Sequence, residues 1–350
     1  MKKHGKNRCA AAPRLGALAL VLAMLFSFGG CGPTLHRYEV SYLSLFDTVV
    51  TILLYAENEA AAQAEFKAIY NDLARYDALF DIYEDHPGVN NLKTVNDNGG
   101  IAPVAVAPEL MALLSFGKEV YTLTDGRVNM AFGSVLSIWH EARIEGTEHP
   151  EAAALPDMAA LQAAAEHCNI DNVVLDEAAG TVYLADPMLR LDVGAVAKGF
   201  AAQLVCDSAR ARGVTSMLLN LGGNVCAIGA KGDGSPWRVE IQDPDDAAKN
   251  LGAVDIGDAS LVTSGGYQRY YTVDGIKYHH IIDPDTLMPA AYIKAVTVSH
   301  VDSAMADAFS TALFNLPYEE GRALAQRNGV SALWELLDGT IYTLDMEAAK

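Results

Sequence analysis

The sequence predicts an α+β fold, helices packed with an antiparallel sheet, and three observations point to it. Apolar residues step by three and four through much of the first half and again near the end. Short β-rich runs crowd the chain after Val214. Strands and helices do not alternate as βαβ units would require.

Taken in order, residues 31–45 read as a linker and residues 48–55 (Thr-Val-Val-Thr-Ile-Leu-Leu-Tyr) as a strand. Phe66, Ile69, Leu73, Tyr76 and Phe80 form one apolar stripe, predicting an amphipathic helix. Residues 90–100, rich in Asn and Gly, are loop material. A second helix is predicted over 108–121, with Pro108 in its first turn and Thr124-Asp125-Gly126 past its end. Residues 129–139 are apolar and Gly-bearing with a turn at Phe132-Gly133-Ser134; 141–156 are polar; 158–167 are helical. Thr181-Val182-Tyr183-Leu184 is a β-rich run closed by Asp186-Pro187. Apolar positions 197, 200, 201, 204, 205 and 208 then mark another helix. Strands are expected near 217–219, 237–241, 260–263, 270–273, 278–282 and 295–299, and a last helix over 303–316.

The first 14 residues carry Lys2, Lys3, Lys6, Arg8 and Arg14 and no acid, and an apolar run over 15–28 ends at Gly29-Gly30-Cys31. A basic start, a short apolar core and small residues before a cysteine are the marks of a secretory signal of the bacterial lipoprotein kind. Residues 1–30 are therefore expected to be removed, with Cys31 lipidated and the protein anchored to a membrane outside the cytoplasm. The remaining chain, with its domain over 46–345, loses five basic residues from a formal charge of -19 and so becomes more acidic still. That balance excludes nucleic acid, whose phosphates call for clustered Lys and Arg. Cys168, Cys206 and Cys226 show no metal spacing and read as buried thiols.

The chain is organised around Arg190-Leu191-Asp192-Val193-Gly194-Ala195-Val196-Ala197-Lys198-Gly199-Phe200, a small-residue turn that opens a helix. Unpaired N–H groups at a helix start attract anions, small residues let a ligand reach the backbone, and Lys198 adds a full charge. The same pattern also suits an ordinary strand-to-helix turn with Asp192 as its cap. Further on, Asp307 and Thr311 stand four apart, so a carboxylate and a hydroxyl share one helix face. They suit Mg²⁺, which binds hard oxygens and keeps places for phosphate and water; equally, Thr311 can bond its own i−4 carbonyl. In His279-His280-Ile281-Ile282-Asp283-Pro284, read as a strand ending in a turn, one histidine must face away from the other. Either can be a base or a satisfied, partly buried ring. Thr263-Ser264-Gly265-Gly266-Tyr267 and Asn220-Leu221-Gly222-Gly223-Asn224 are Gly-rich loops.

Together these stretches resemble the ApbE-type FAD:protein FMN transferases. The matching pieces are Phe46-Asp47-Thr48, Leu79-Phe80-Asp81-Ile82-Tyr83 and residues 128–139, 192–200, 220–223, 241–244, 263–267, 280–289 and 306–311. The resemblance implies a T-fold-like α+β flavin transferase that binds FAD with Mg²⁺. It implies transfer of the FMN moiety to a Thr or Ser of an acceptor protein in a membrane or extracytoplasmic electron-transfer complex. It assigns Asp307, Thr311 and the Ala195 carbonyl to the metal, and Asp192 and Lys198 to FAD. Phe46, Tyr83, Ala131, Phe132, Gly133, Ser264 and Ile281 match flavin- or adenine-binding stretches, and His280, with Asp307, the catalytic positions. A pyrophosphatase giving FMN and AMP, or a flavin-binding lipoprotein, would use the same residues. The chain departs from the family in Leu287, where Gly usually follows Thr286, which asks that turn to avoid positive φ. It also departs at Asn224 and Gly266, where acids are usual, and at Phe46-Asp47, where Met-Gly is common.

Overall fold

The computed structural model describes residues 34–346; the expected signal segment and Cys31 lie outside the described residues. The chain opens with a hairpin of β1 (His36–Leu45) and β2 (Thr48–Ala56), so the stretch expected to be linker is mostly an edge strand. Phe46 and Asp47 make its two-residue turn with φ of 54° and 51°. That left-handed pair matches the natural twist of a hairpin, at a cost for side chains other than Gly, Asn or Asp. The Phe46 N–H donates to Asp77 Oδ1 at 3.0 Å, which pins the turn to α1 (Glu59–Phe80).

Next come α2 (Leu92–Asp97), β3 (Val104–Ala105), α3 (Pro108–Leu123), α4 (Gly133–Glu148) and α5 (Met158–Ala165). The helix α4 runs on to Glu148, through the first half of the stretch read only as polar, with Trp139 buried. β4 (Val173–Asp176) and β5 (Thr181–Leu184) join β3 in a small sheet, and α6 (Ala197–Ala211) follows. The remaining elements are β6 (Met217–Leu221), β7 (Asn224–Ile228), β8 (Trp237–Gln242), β9 (Asn250–Ile256), β10 (Ser260–Gly265), β11 (Tyr270–Val273), β12 (Ile276–His279), β13 (Ile293–His300), α7 (Ser303–Phe314), α8 (Tyr318–Arg327), β14 (Ser331–Leu336) and β15 (Ile341–Leu344).

Eight strands form one sheet in the order β1-β2-β6-β7-β10-β13-β14-β15, antiparallel throughout. Its middle strands are buried on both faces, and the two-residue period sorts their side chains. Cys226, Ile228, Val262, Val296, Val298 and Trp334 join the large core that includes α1, α6 and α7. Val225, Ala227, Leu261 and Leu333 face the other way, against Trp237, Ile241, Val254 and Ile256 of the β8–β9 hairpin. A third cluster sets Phe132, Val135 and Trp139 of the 130–148 region against Tyr271, Ile282 and Leu287.

Two sequence expectations about 278–289 are corrected. The strand stops at His279, and Ile282 keeps only an isolated bridge to Pro289. Leu287 also does not avoid positive φ: it sits at 59°. Packing holds it there, since its side chain is buried beside Trp139 and Phe132 and its carbonyl accepts the Trp139 indole N–H at 2.9 Å.

Candidate active site

The glycine turn is fixed from behind before it reaches α6. Asn96, buried, accepts the Leu191 N–H at 2.7 Å and donates to the Leu191 carbonyl at 3.0 Å. The Asp192 N–H donates to the Met130 carbonyl at 2.8 Å, tying the turn to the 130–132 segment. Asp192 Oδ1 accepts the Gly194 N–H at 2.7 Å, a local turn, whereas the helix cap position belongs to Val196. The alternative of Asp192 as the cap is thereby corrected.

α6 and α7 meet at Gly199, where a Cβ would collide with the Asp307 Cβ and the Ser303 carbonyl. With the cap at Val196, Gly199 is the third residue of α6, and its N–H is one of the helix-start donors that have no partner within the helix. It donates to Asp307 Oδ2 at 2.7 Å. Among the described residues no backbone N–H takes the carbonyl of Ala195, which precedes the helix.

Asp302 caps α7 by accepting the Ala304 and Met305 N–H groups, so the helix that carries Asp307 and Thr311 is well anchored. Thr311 is half-buried, one turn on from Asp307. Its i−4 carbonyl, that of Asp307, receives the Ser310 hydroxyl at 2.8 Å instead. Ser310 also shares a 2.8 Å hydrogen bond with Ser264, which joins β10 to the same turn of α7.

Burial raises the Asp307 carboxyl above its usual range, against the pull of Lys198, the Gly199 N–H and the Asn224 side chain. A desolvated carboxylate, an unclaimed carbonyl and a hydroxyl are three hard oxygens, a set that fits Mg²⁺ and holds nothing for a softer metal. No group of three or more His, Cys, Asp and Glu side chains with metal spacing occurs among the described residues. A cation here would therefore rest on one carboxylate with backbone and hydroxyl oxygens.

A cluster of cations faces this oxygen set. Arg143, Arg269 and Lys198 all act on His280, and burial with their charge pushes its ionisation down to about 3. None of the three cations makes an ion pair with a carboxylate among the described residues, although most other arginines of this acidic protein do. Arg143 instead reaches His140 Nδ1 at 2.9 Å, and His140 stacks on Tyr83 with ring centroids 4.9 Å apart. The Tyr83 hydroxyl is pushed up to about 12 by desolvation and by the negative charge of Asp192. Desolvation also raises the Asp192 carboxyl, while His140, Arg143 and Lys198 act against it. A free cation cluster beside a metal-type oxygen set is suited to a diphosphate.

The two histidines have different surroundings, and His280 lies just past the end of β12. His279 is bound to the Ala290 carbonyl at 2.9 Å and packs edge-on against Phe314, a structural ring. His280 lies beside the Arg269 carbonyl, 3.3 Å from its Nδ1. Tyr83, Asp192, Lys198, His280 and Asp307 lie near enough for their charges to act on one another, while Ala195 stands three residues before Lys198 and Thr311 one turn after Asp307. Phe46 approaches through its turn, since Arg269 donates to the Asp47 carbonyl. Ala131, Phe132, Gly133 and Ile281 are buried, so they form the wall behind the site and can offer a ligand mainly backbone. Ser264 has its hydroxyl engaged with Ser310. The sequence reading passed over His140, Arg143 and Arg269. The first two share a face of α4 three residues apart, a spacing concealed by the polar composition of 141–156.

The ApbE family model matches residues 46–334. The chain is 33% identical over 293 residues to an FAD:protein FMN transferase of Klebsiella pneumoniae, covering 83% of this chain and 86% of that one. It is 33% identical over 339 residues to the FAD:protein FMN transferase of Treponema pallidum, covering 92% and 90%. Its fold is similar to the crystal structure of the ApbE protein from Thermotoga maritima, with a TM-score of 0.78, 27% identity and coverage of 89% of this chain and 97% of that one. With that match across nearly all the described chain, the protein belongs to the ApbE family.

Proposed function

We propose that this protein transfers the FMN moiety of FAD to a threonine or serine hydroxyl of an acceptor protein, with Mg²⁺, releasing AMP. The observation that carries the proposal is the buried Asp307 carboxylate, tied by the Gly199 N–H to the start of α6, where the Ala195 carbonyl has no backbone partner among the described residues. The names of the relatives support the transfer of FMN from FAD to a protein. Asp307, Thr311 and the Ala195 carbonyl would hold Mg²⁺, which when bound supplies charge neutralisation at a phosphoryl group.

The chain's own groups account for the rest. Lys198, Arg143 and Arg269 hold the diphosphate of FAD and offset the charge that spreads over its oxygens. The acceptor oxygen forms a bond to the FMN phosphorus as the bridging P–O bond to AMP breaks. Burial, with the cations around it, holds His280 neutral at physiological pH, and once the diphosphate of FAD offsets those cations its ring can take the proton of the acceptor hydroxyl. Phe132, Gly133 and the 281–287 segment close the far side and exclude water.

We place the protein outside the cytoplasm, anchored through lipidated Cys31, with its acceptor in a membrane or extracytoplasmic electron-transfer complex. The test is incubation of the full chain with FAD, Mg²⁺ and a flavin-acceptor domain from such a complex. A fluorescent acceptor band that survives denaturation, with AMP formed in equal amount, supports the proposal. AMP and free FMN formed at the same rate without acceptor would make the protein a pyrophosphatase instead, and FAD recovered intact would make it a binding protein.

A further inference from the structure

Asn224 is one of the few buried polar side chains whose bonding is incomplete, and it stands beside Asp307. It is the first residue of β7, after two glycines at positive φ, and only 1% exposed. Its position in the strand puts it on the same face as Cys226 and Ile228, the face turned to α6 and α7. β7 packs against α7, and the Asn224 side chain lies beside the Asp307 carboxyl and helps to hold its ionisation down, while its Oδ1 has no hydrogen-bond partner. Toward an ionised carboxylate, which only accepts, the amide can offer its nitrogen alone. A buried amide oxygen without a partner is rare and calls for a donor.

We propose that Asn224 is a positioning residue of the cation site, its Nδ2 orienting Asp307 and its Oδ1 accepting a hydrogen bond from a water carried by the bound divalent cation. This rests on the cation reading given under Proposed function and adds a residue to it. The chemistry fits on both sides. Mg²⁺ keeps several of its waters, and each such water is a strong donor that needs an acceptor. Residues outside the direct ligands that orient a carboxylate and a metal-bound water typically change metal affinity by about 10- to 100-fold when replaced.

The test is titration of the full chain with MgCl₂ and MnCl₂ by calorimetry, together with the cation-induced shift in melting temperature. Asn224→Leu keeps the volume and removes both polar atoms; it is expected to weaken cation binding by about 10- to 100-fold. Binding within twofold of the parent protein, with a cooperative melt retained, would overturn the proposal. Asn224→Asp guards against a variant that fails to fold, since it keeps the size and an acceptor. It sets a second carboxylate against Asp307, so its melting temperature should fall without divalent cation and rise with Mg²⁺ by more than that of the parent. A melting temperature no more responsive to Mg²⁺ than the parent's would also overturn it. Asp307→Asn separates the two claims. If it binds cation as the parent does, the cation reading itself fails; if it loses binding while both Asn224 variants keep it unchanged, only the role of Asn224 is lost.

Discussion

At the scale of single residues, the site depends on groups whose ordinary behaviour has been shifted by their neighbours. His280 is the clearest case. Its folded ionisation near 3 lies below the usual value near 6.5, so between these the unfolded chain binds the proton that the folded chain refuses. Its contribution to stability is thus complete above about pH 6.5 and is lost as pH falls toward 3. Replacing it with Asn should flatten the acid side of the stability curve over that window, and denaturant melts at several pH values would show it. The same variant should lower transfer by roughly 10²- to 10⁴-fold if the ring accepts the acceptor's proton, read as kcat in single-turnover assays. Asp307→Asn keeps the shape but removes the charge; turnover should fall by about 10²- to 10³-fold, and unchanged turnover would rule out its metal role. Leu287 carries a different lesson. Truncation to Ala should cost about 2–5 kcal/mol, since it empties a packed site while leaving the left-handed backbone strained. Leu287→Gly should be more stable than Leu287→Ala by about 1 kcal/mol, the reverse of the usual order, because only Gly adopts that φ freely. Equal melting temperatures for the two would mean that the strain is absorbed elsewhere.

At the scale of elements, the crossing of α6 and α7 does the organising. Gly199 lets the two helices touch, and the touch sets the Asp307 carboxylate on the Gly199 N–H at the start of α6. Gly199→Ala should therefore destabilise the protein by about 1–3 kcal/mol through overpacking and weaken cation binding as well. A melting curve and a Mg²⁺ titration on the same sample would test both. Loss of stability with cation affinity intact would separate the crossing from the site. Much at this scale was legible in the sequence. The 3–4 spacing marked α1, α3, α6 and α7, and the small-residue turn before α6 was visible as residue types alone. Less was legible where burial overrides pattern. β7 is buried on both faces, so it shows no alternation, and β1 is an edge strand with polar and apolar residues mixed. The end of α4 was lost because its Glu, Arg and His residues lie on an open face and look like loop composition. Strand β12 was read too long because His280, Ile281 and Ile282 have strand-like composition, while the bend at His280 is set by its contacts with Arg269.

At the scale of the whole molecule, three layers bring distant segments to one place. Helices lie on one face of the eight-stranded sheet and the β8–β9 hairpin on the other, and the site forms where α4, the turn before α6, α7 and the 280–287 segment converge. The cation cluster could not be read from the sequence, since Arg143, Lys198 and Arg269 come from separate parts of the chain. Family resemblance supplied Asp307, Thr311 and Ala195 as a set; spacing alone suggested only the first two. A cation cluster without carboxylate partners among the described residues gives a further expectation: FAD binding should weaken as salt screens that cluster, measured by flavin fluorescence across ionic strength. Salt-independent affinity would deny the cluster a role in holding the diphosphate. The central claim is that a divalent cation sits between the turn before α6 and the helix α7. Its most direct test is a crystal structure grown with Mn²⁺ and ADP, read by anomalous scattering at the manganese edge. The account predicts one strong peak within about 2.0–2.4 Å of Asp307, Thr311 and the Ala195 carbonyl oxygen. A peak bound elsewhere, or none at these three oxygens while ADP is in place, would contradict it.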